Sequence, residues 1–304
     1  MLGAAAGGGF PQWNSNSVAC NLARSGDAKP QTQSSIAVTV DNEHWILCNA
    51  SPDIRQQIND NTVLYPCQGV RHSPISGVVL TNADVDHIAG LLTLRESQKL
   101  AIYGSKRVLS TLQQNSIFNV LNPDFVTRNE FFLEKSFTPT LPNGLHSDLQ
   151  IQAFAVPGKV ALYLEDKSAG PNFGTADGDT VGLSISNRST GQTFFYIPGC
   201  AALPTNLKDR LQSAQLVLFD GTLYDQNEMI SRKEGIKTGS RMGHMSMSGP
   251  NGAISEFKNL NIARKVFIHI NNTNPVLLKD SKERAIVEAA GWEIAHDGME
   301  FNIE

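Results

Sequence analysis

The stretch that decides the fold is GVVLTNADVDHIAGLL, residues 77–92. It begins as a continuous apolar run, which predicts a buried strand that ends at Thr81, and it passes into a helical pattern near residue 88. The turn between them holds four side chains that can bind cations: Asn82, Asp84, Asp86 and His87. Since a loop at the carboxyl end of a buried strand opens onto the crevice of an α/β sheet, the turn predicts a cation site. The alternative is that one aspartate caps the helix and the others are solvated.

Two other apolar runs end in the same way, because residues 215–219 lead into Asp220 and residues 265–268 lead into His269. A single Asp or His after such a strand is more often a turn former or a hydrogen-bonded core residue. Repetition at three strand ends instead favours one site for a borderline divalent metal, because Mg²⁺ and Ca²⁺ prefer oxygen ligands alone. The four predicted ligands are Asp86, His87, Asp220 and His269.

Strand and helix patterns alternate along the whole chain, which predicts the α/β class. The predicted strands span 35–40, 45–49, 77–81, 99–103, 149–156, 181–187, 193–197, 215–219, 265–270 and 292–294, and the predicted helices span 54–58, 88–96, 105–114, 206–213 and 281–290. We find neither a fixed-period repeat nor a low-complexity linker in the middle of the chain. We therefore expect one domain over residues 1–304.

The composition of the 304 residues is that of an ordinary globular protein, with 40% apolar side chains and a formal charge of −4. No basic block could displace counterions from a nucleic acid, so we expect no nucleic-acid partner. No apolar run approaches the roughly 20 residues of a membrane span, and the first residues lack the basic start of a secretory signal. We expect no membrane insertion and a cytoplasmic location. The four scattered cysteines, Cys20, Cys48, Cys67 and Cys200, are predicted to be reduced and buried.

Residues 81–91 resemble the signature loop of the metallo-β-lactamase superfamily, which in most members reads Thr-His-x-His-x-Asp-His-x-x-Gly-Leu. Four residues stand at matching positions: Asp86, His87, Gly90 and Leu91. Asn82 and Asp84 stand where the superfamily has two metal-binding histidines, and the usual Pro-Gly-His motif appears with Lys159 in place of its histidine. The resemblance implies that the first metal position has lost all three ligands. A cationic lysine there would repel a second ion, so we expect one active-site ion per chain.

Over nearly its whole length the chain resembles the pyrroloquinoline quinone (PQQ) biosynthesis protein B family. The resemblance is carried by ordered strings of residues: AAGGGFPQWN at 5–14, TQSSIA at 32–37, NASPDIRQ at 49–56, YIPG at 196–199, FDGT at 219–222, RMGH at 241–244 and HINNTNP at 269–275. It implies a metallo-β-lactamase-like αββα sandwich with a metal site along one edge. It also implies a role in making the redox cofactor PQQ from a ribosomal peptide.

One part of the chain departs from that family. Its members usually carry Cys-x-Cys-x-x-Cys after Pro-Gln-Trp-Asn, at the start of a structural zinc site. Here Ser15 and Ser17 stand at the first two of those positions, and only Cys20 is left. Because a hydroxyl is a poor zinc ligand beside a thiolate, we expect little or no zinc there.

The family resemblance implies a mononuclear Fe(II)-dependent oxygenase that hydroxylates a tyrosine-derived ring in a crosslinked Glu–Tyr precursor. Its expected partners are O₂, that small peptide-derived precursor and other proteins of the PQQ pathway, and Zn²⁺ is an alternative metal after purification. Asp84 and His244 are the candidate proton-transfer residues. Three further residues are expected around the metal or the substrate: Asn82, Lys159 and Asn272. Two other functions stay open, namely a carrier that moves PQQ or its precursor towards the periplasm and a metal-dependent hydrolase.

Overall fold

In a computed structural model that describes residues 1–303, two β-sheets lie face to face and helices cover their outer surfaces. The first sheet has the order β1-β2-β3-β4-β5, with β1 Ile36–Val38, β2 Trp45–Cys48, β3 Ile75–Val79, β4 Leu100–Gly104 and β5 Val126–Glu130. The second has the order β12-β11-β10-β9-β8-β7-β6, with β6 Ser136–Phe137, β7 Leu149–Ala155, β8 Val181–Asn187, β9 Thr193–Ile197, β10 Leu216–Asp220, β11 Arg264–Ile268 and β12 Glu293–Ile294. These layers are the αββα sandwich that the sequence predicts.

The helices are short, and they lie between strands of both sheets. They are α1 Val18–Ser25, α2 Ile54–Asp60, α3 Val85–Ile88, α4 Lys106–Gln114, α5 Thr205–Leu211, α6 Glu228–Ser231, α7 Gly239–Met242, α8 Ala253–Glu256 and α9 Lys282–Ala289. Ser105 and Ser281 cap α4 and α9, because each hydroxyl accepts a hydrogen bond from an amide in the first turn. Among residues 1–303, no helix is both long and apolar enough to cross a membrane.

Alternation along the strands separates the core into layers. In β10, Leu216 and Leu218 face the first sheet, whereas Val217 and Phe219 pack under the helices on the outer side. Strands buried on both faces read as continuous apolar runs, which is why the sequence shows no polar alternation here. The outer face of the first sheet packs in the same way against α2, α3 and α4.

Parallel pairing brings the candidate site together. β2, β3 and β4 are parallel neighbours, and so are β9, β10 and β11. The carboxyl ends of β3, β10 and β11 therefore meet at one edge of the sandwich. The backbone amide of Val181 donates to the carbonyl of Thr81 over 2.9 Å, which links the two sheets at that edge.

The helix predicted over 88–96 is wrong in both bounds. α3 begins at Val85 and ends at Ile88, and a 3₁₀ turn over Ala89–Leu92 follows it. The carbonyl of His87 accepts a hydrogen bond from the amide of Ala50 instead of continuing the helix, and the amide of Gly90 donates to Ala50 in turn. A side chain at Gly90 would collide with the carbonyl oxygen of Ser51, so only glycine permits this contact.

The cysteines are free in the described structure, and three of them are buried as predicted. Cys67 corrects the prediction, because it lies exposed in the loop between α2 and β3. Strands β5 and β6 and helix α1 were not expected either. β5 is a half-exposed strand with the sequence VTRNE, which has little apolar content to reveal it.

Candidate metal centre

Asp86, His87 and His269 form a group whose ligand atoms all lie within 4.8 Å of one another. Asp86 and His87 lie in α3, after the end of β3, and His269 follows β11 directly. The Nε2 atoms of His269 and His87 lie 3.1 and 3.7 Å from Oδ2 of Asp86. The three side chains come from two sheets, and the sandwich brings them to one point.

The protonation states of this group suit a divalent cation. Burial lowers the pKa of His87 to about 4, so its imidazole is neutral at physiological pH, the form that binds metals. Burial would raise the pKa of Asp86, but the neighbouring rings of His87 and His269 hold that pKa well below its ordinary value. A neutral imidazole beside an ionised carboxylate is a competent ligand pair.

The Nε2 atom of His87 provides the strongest test of whether an ion fits. The side chain is 1% exposed, and Nε2 has no hydrogen-bond partner among the described residues. A buried polar atom without a partner costs about 1–3 kcal/mol. A metal ion between His87, His269 and Asp86 would satisfy that nitrogen, so the residues present fit the group that the sequence predicts.

A second group of possible ligands shares His269 and consists of Asp220, His244 and His269. The Asp220 carboxylate is fully buried, and both of its oxygens are already engaged. Oδ1 accepts from the amide and the hydroxyl of Thr222, whereas Oδ2 accepts from the amide of Cys200 and faces Nδ1 of His244 at 2.7 Å. Asp220 thus lies where the sequence predicts, beside the metal group, but its oxygens accept hydrogen bonds from other residues of the protein. Its role as a ligand stays a prediction.

Thr222 lies between the two groups of candidate ligands, and the sequence pattern assigns it no role. Its hydroxyl donates to Oδ1 of Asp220 over 2.7 Å, so it can accept from Nδ1 of His269, which lies 2.8 Å away. A proton on Nδ1 leaves the lone pair of His269 on Nε2, on the side of Asp86. The signal was available in the string FDGT at 219–222, whose threonine received no role.

His87 is oriented by a buried polar chain on its other side. Nδ1 of His87 lies 3.5 Å from the hydroxyl of Thr81, which accepts from the side-chain amide of Asn49 over 2.9 Å. The same amide also donates to the hydroxyl of Tyr196. Asn49 has a φ of 65°, in the left-handed region that Asn tolerates better than most residues.

His269 has a φ of 56°, which is uncommon for a residue other than glycine. Neighbours on both sides hold this conformation, because the carbonyl of Ile268 accepts from the amide of Gly221 and the amide of Ile270 donates to Ala4. Backbone strain of this kind persists where surrounding structure determines it, and it is concentrated at functional sites.

The candidate proton-transfer residues both adjoin the metal group. Burial raises the pKa of Asp84, and the nearby charge of Asp86 adds to this effect. Burial alone would lower the pKa of His244, but the carboxylate of Asp220 raises it overall. The ring of His244 stacks on that of His269 with a centroid distance of 5.3 Å.

The three residues expected around the metal or the substrate contact different parts of the protein and do not form one group. Asn82 accepts the backbone amide of Asp84 over 3.0 Å, so it shapes the turn. Lys159 lies 3.0 Å from Glu165 in an ion pair. Asn272 donates to Gln12 over 2.6 Å, and its Oδ1 lies 3.7 Å from the thiol of Cys20.

The segment around Ser15, Ser17 and Cys20 is held by hydrogen bonds. Ser15 donates to Glu234 over 2.9 Å and lies 3.1 Å from Ser17, whose hydroxyl accepts from the amide of Cys20 at the start of α1. The thiol of Cys20 is buried and directed at Asn272. The low zinc content that the sequence predicts for this segment stays a prediction.

Comparisons with known proteins agree on the family. A family described as "Beta-lactamase superfamily domain" matches residues 44–270. "Coenzyme PQQ synthesis protein B" of Rhodopseudomonas palustris (strain BisB5) is 50% identical over all of this chain and 98% of its own length, and the protein of the same name from Xanthomonas euvesicatoria pv. vesicatoria (strain 85-10) is 51% identical over 99% and 98%. The 1.98-angstrom crystal structure of Zn(2+)-bound PqqB from Methylobacterium extorquens superposes with a TM-score of 0.94 at 49% identity, covering 99% of this chain and 98% of that one. The chain therefore belongs to the coenzyme PQQ synthesis protein B family and has the metallo-β-lactamase fold.

Proposed function

We propose that this protein acts in the synthesis of PQQ, and that it hydroxylates a tyrosine-derived ring in the peptide-derived Glu–Tyr precursor with Fe(II) and O₂. The names of its relatives support the first part of the proposal. The second part rests on the ligand set of the candidate metal centre.

The observation that carries the proposal is the composition of that set, two histidines and one carboxylate. His87, His269 and Asp86 converge with a buried, unpartnered Nε2 among them. Two histidines and one carboxylate with open positions are the ligands typical of non-haem Fe(II) oxygenases. When bound there, Fe(II) would supply the redox and Lewis-acid chemistry that O₂ and an aromatic ring require.

Two residues of the chain, His244 and Asp84, are suited to exchange protons with the substrate. Nδ1 of His244 is engaged by Asp220 and Thr222, so Nε2 is the atom left to exchange a proton with the substrate. Asp84 has a raised pKa, which brings its carboxyl closer to the working pH and suits it to accept a phenolic proton. The two groups flank the metal ligands.

The structure gives less support to a hydrolase with two ions. Asn82 and Lys159 stand where the superfamily has two of its ligands, yet the first is bound to the backbone of the turn and the second to Glu165. A protonated lysine would repel a second cation. The carrier role needs no catalysis. We would favour it if the protein converted no aromatic substrate.

The test is oxygen labelling after anaerobic reconstitution with Fe(II). A dihydroxylated tyrosine surrogate is added, ¹⁸O₂ is admitted, and the product is analysed by mass spectrometry. Oxidation of the catechol to a quinone supplies the two electrons that reduce the second oxygen atom to water. We expect one labelled oxygen atom in the ring with the wild type and none with His87→Ala, while His146→Ala, which changes an exposed histidine, behaves as wild type. Product formed without O₂, or without label, would contradict the oxygenase. Binding of the surrogate without turnover under any metal would favour the carrier.

A further inference from the structure

Two glycines beside the metal centre differ from the other glycines of the chain in their surroundings. Of the 25 glycines, thirteen have a positive φ, a conformation that residues with a side chain rarely adopt. In ten others a Cβ atom would lie 3.1 Å or less from a neighbouring atom, closer than ordinary van der Waals contact. Within residues 1–303, only Gly7 and Gly199 are free of both constraints.

Gly7 lies beside the carboxylate of Asp86. It is exposed, and the three atoms nearest to a Cβ atom at this position all belong to Asp86. Cγ and Oδ2 of Asp86 would be 3.4 Å from that Cβ atom, and Oδ2 is the oxygen that faces Nε2 of His269. An alanine at position 7 would therefore fit without a clash, and its methyl group would lie against a predicted metal ligand.

Hydrogen bonds on both sides fix the position of Gly7. The amide of Ala6 donates to the carbonyl of Ile270 over 2.9 Å, one residue after His269. On the other side, the amide of Gly8 donates to Oε1 of Gln33 over 2.9 Å. A methyl group at position 7 could turn away from Asp86 only if these hydrogen bonds were broken.

Gly199 lies beside His244 in a similar way. It is buried after the end of β9, and a Cβ atom there would be 3.6 Å from Cε1 of His244 and 3.8 Å from Cγ2 of Thr180. The next amide, that of Cys200, donates to Oδ2 of Asp220 over 2.8 Å and fixes this segment. Because Cε1 is bonded to Nε2, a methyl group at position 199 would crowd the nitrogen that we propose exchanges protons with the substrate.

The two glycines border opposite ends of one row of side chains. Nε2 of His269 lies 3.1 Å from Oδ2 of Asp86, and the His269 ring stacks on that of His244 with 5.3 Å between centroids and 22° between planes. The row therefore runs from Asp86 through His269 to His244, with Gly7 beside its first member and Gly199 beside its last. We name the strip along this row, between the two glycines, the glycine slot.

We propose that Gly7 and Gly199 determine the size of the ligands that reach the metal centre, because their missing side chains leave the glycine slot wide enough for a flat ring. A side chain at either position would obstruct a ring that lies along the row, whereas a ligand of a few atoms would still enter. The inference rests on the proposed function in one respect, the aromatic character of the ligand. It adds two specificity-determining residues to the site.

The experiment compares two ligands that chelate zinc through two oxygen atoms, 4-nitrocatechol with a ring and acetohydroxamate without one. Their binding to zinc-loaded protein is measured by calorimetry, so that no oxygen chemistry occurs. We expect Gly7→Ala and Gly199→Ala each to weaken 4-nitrocatechol binding about tenfold, the usual effect of one methyl group in a binding pocket. The affinities for acetohydroxamate and for zinc itself should stay unchanged.

Two controls separate the glycine slot from general effects of added bulk. Ala263→Val enlarges an exposed residue before β11, at the end of that strand away from His269, and should bind both ligands as the wild type does. Thermal unfolding of both glycine variants should be cooperative, with a midpoint at or above that of the wild type, because the backbone at these positions accepts alanine.

Three results would overturn the slot proposal: 4-nitrocatechol binding that is unchanged in both glycine variants or absent in the wild type, an equal loss of acetohydroxamate binding, or loss of cooperative unfolding. The proposed function fails separately. If the variants bind 4-nitrocatechol as the wild type does while ¹⁸O still enters the surrogate, only the slot proposal is wrong. If the variants behave as expected and no oxygen is incorporated, only the oxygenase is wrong.

Discussion

At His87, three neighbours determine what the imidazole can do. Burial keeps the ring neutral, Thr81 lies next to Nδ1, and Asp86 stands beside the free Nε2. None of these effects is visible in the sequence DVDH alone, which would also fit a solvated helix start. These features fit the predicted ligand role of His87, because a histidine of the core usually has a partner at both nitrogens.

His87→Ala should abolish zinc retention and leave the fold. The side chain adjoins the site edge of the sandwich, so we expect the apo variant to keep a cooperative unfolding transition. Elemental analysis after dialysis and thermal unfolding check the two parts, and His146→Ala is the control. Loss of cooperative unfolding in the apo variant would show that His87 is a core residue.

Thr222→Val should weaken metal binding about 10- to 100-fold, the usual effect of removing a group that orients a ligand. The valine keeps the volume but loses the acceptor for Nδ1 of His269 and a donor to Asp220. Thr222→Ser keeps the hydroxyl and should restore affinity, measured by competition with a zinc chelator. Equal affinities in the valine and serine variants would contradict this role.

At the scale of elements, helix α6 is tied to the loop after His269. Glu228 in α6 is 4% exposed, accepts the amide of Tyr224 over 2.7 Å, and makes a very short hydrogen bond with Thr273. Burial raises the pKa of Glu228 to about 7. The loop that follows β11 is therefore hydrogen-bonded to a carboxyl group that is half-protonated near neutral pH.

This raised pKa predicts a specific pH dependence of stability. An acid whose pKa is higher in the folded state than in the unfolded state stabilises the fold fully below the unfolded value of about 4.5, and that contribution is lost as pH rises through about 7. Glu228→Gln should therefore be more stable than wild type at pH 8, by about 1 kcal/mol or more, with a smaller gain at pH 5. Urea unfolding at both pH values measures it, and Glu288→Gln, an exposed change in α9, is the control. A variant that gains nothing at pH 8 relative to pH 5 would refute the assignment.

The segment with Ser15, Ser17 and Cys20, at the start of α1, is held in place by hydrogen bonds. Treatment with a thiol-specific reagent should release little or no zinc from this segment, because only Cys20 is present and its thiol is directed at Asn272. Zinc released in proportion to protein, or zinc located on Cys20 by anomalous scattering, would show that other ligands compensate for Ser15 and Ser17.

For the whole molecule, the sequence predicts the layers and the edge where the site lies. Continuous apolar runs mark the doubly buried strands, and the polar residues that follow them lie within a few residues of the strand ends at Val79, Asp220 and Ile268. That the strand ends meet at one edge follows from parallel pairing, which recurrent strand and helix patterns imply. The family resemblance supplied the αββα order.

Other features depend on contacts between residues distant in the chain. Glu165 and Arg241 are 76 residues apart, so no local pattern shows that they share an ion pair with Lys159. The string FDGT does not reveal the position of Thr222, because that position depends on His269 beside it. The short α3 depends on Ala50, whose hydrogen bonds end the helix from another element.

The central claim is that one ion binds to Asp86, His87 and His269. The most direct measurement is the number of Fe(II) ions bound per chain at equilibrium, determined by anaerobic dialysis and elemental analysis with wild type and with His87→Ala. We predict one ion for the wild type and none for the variant, since Lys159, paired with Glu165, would not bind a second cation and His87 supplies the open nitrogen. Two ions retained by the wild type, or one retained by His87→Ala, would contradict the account.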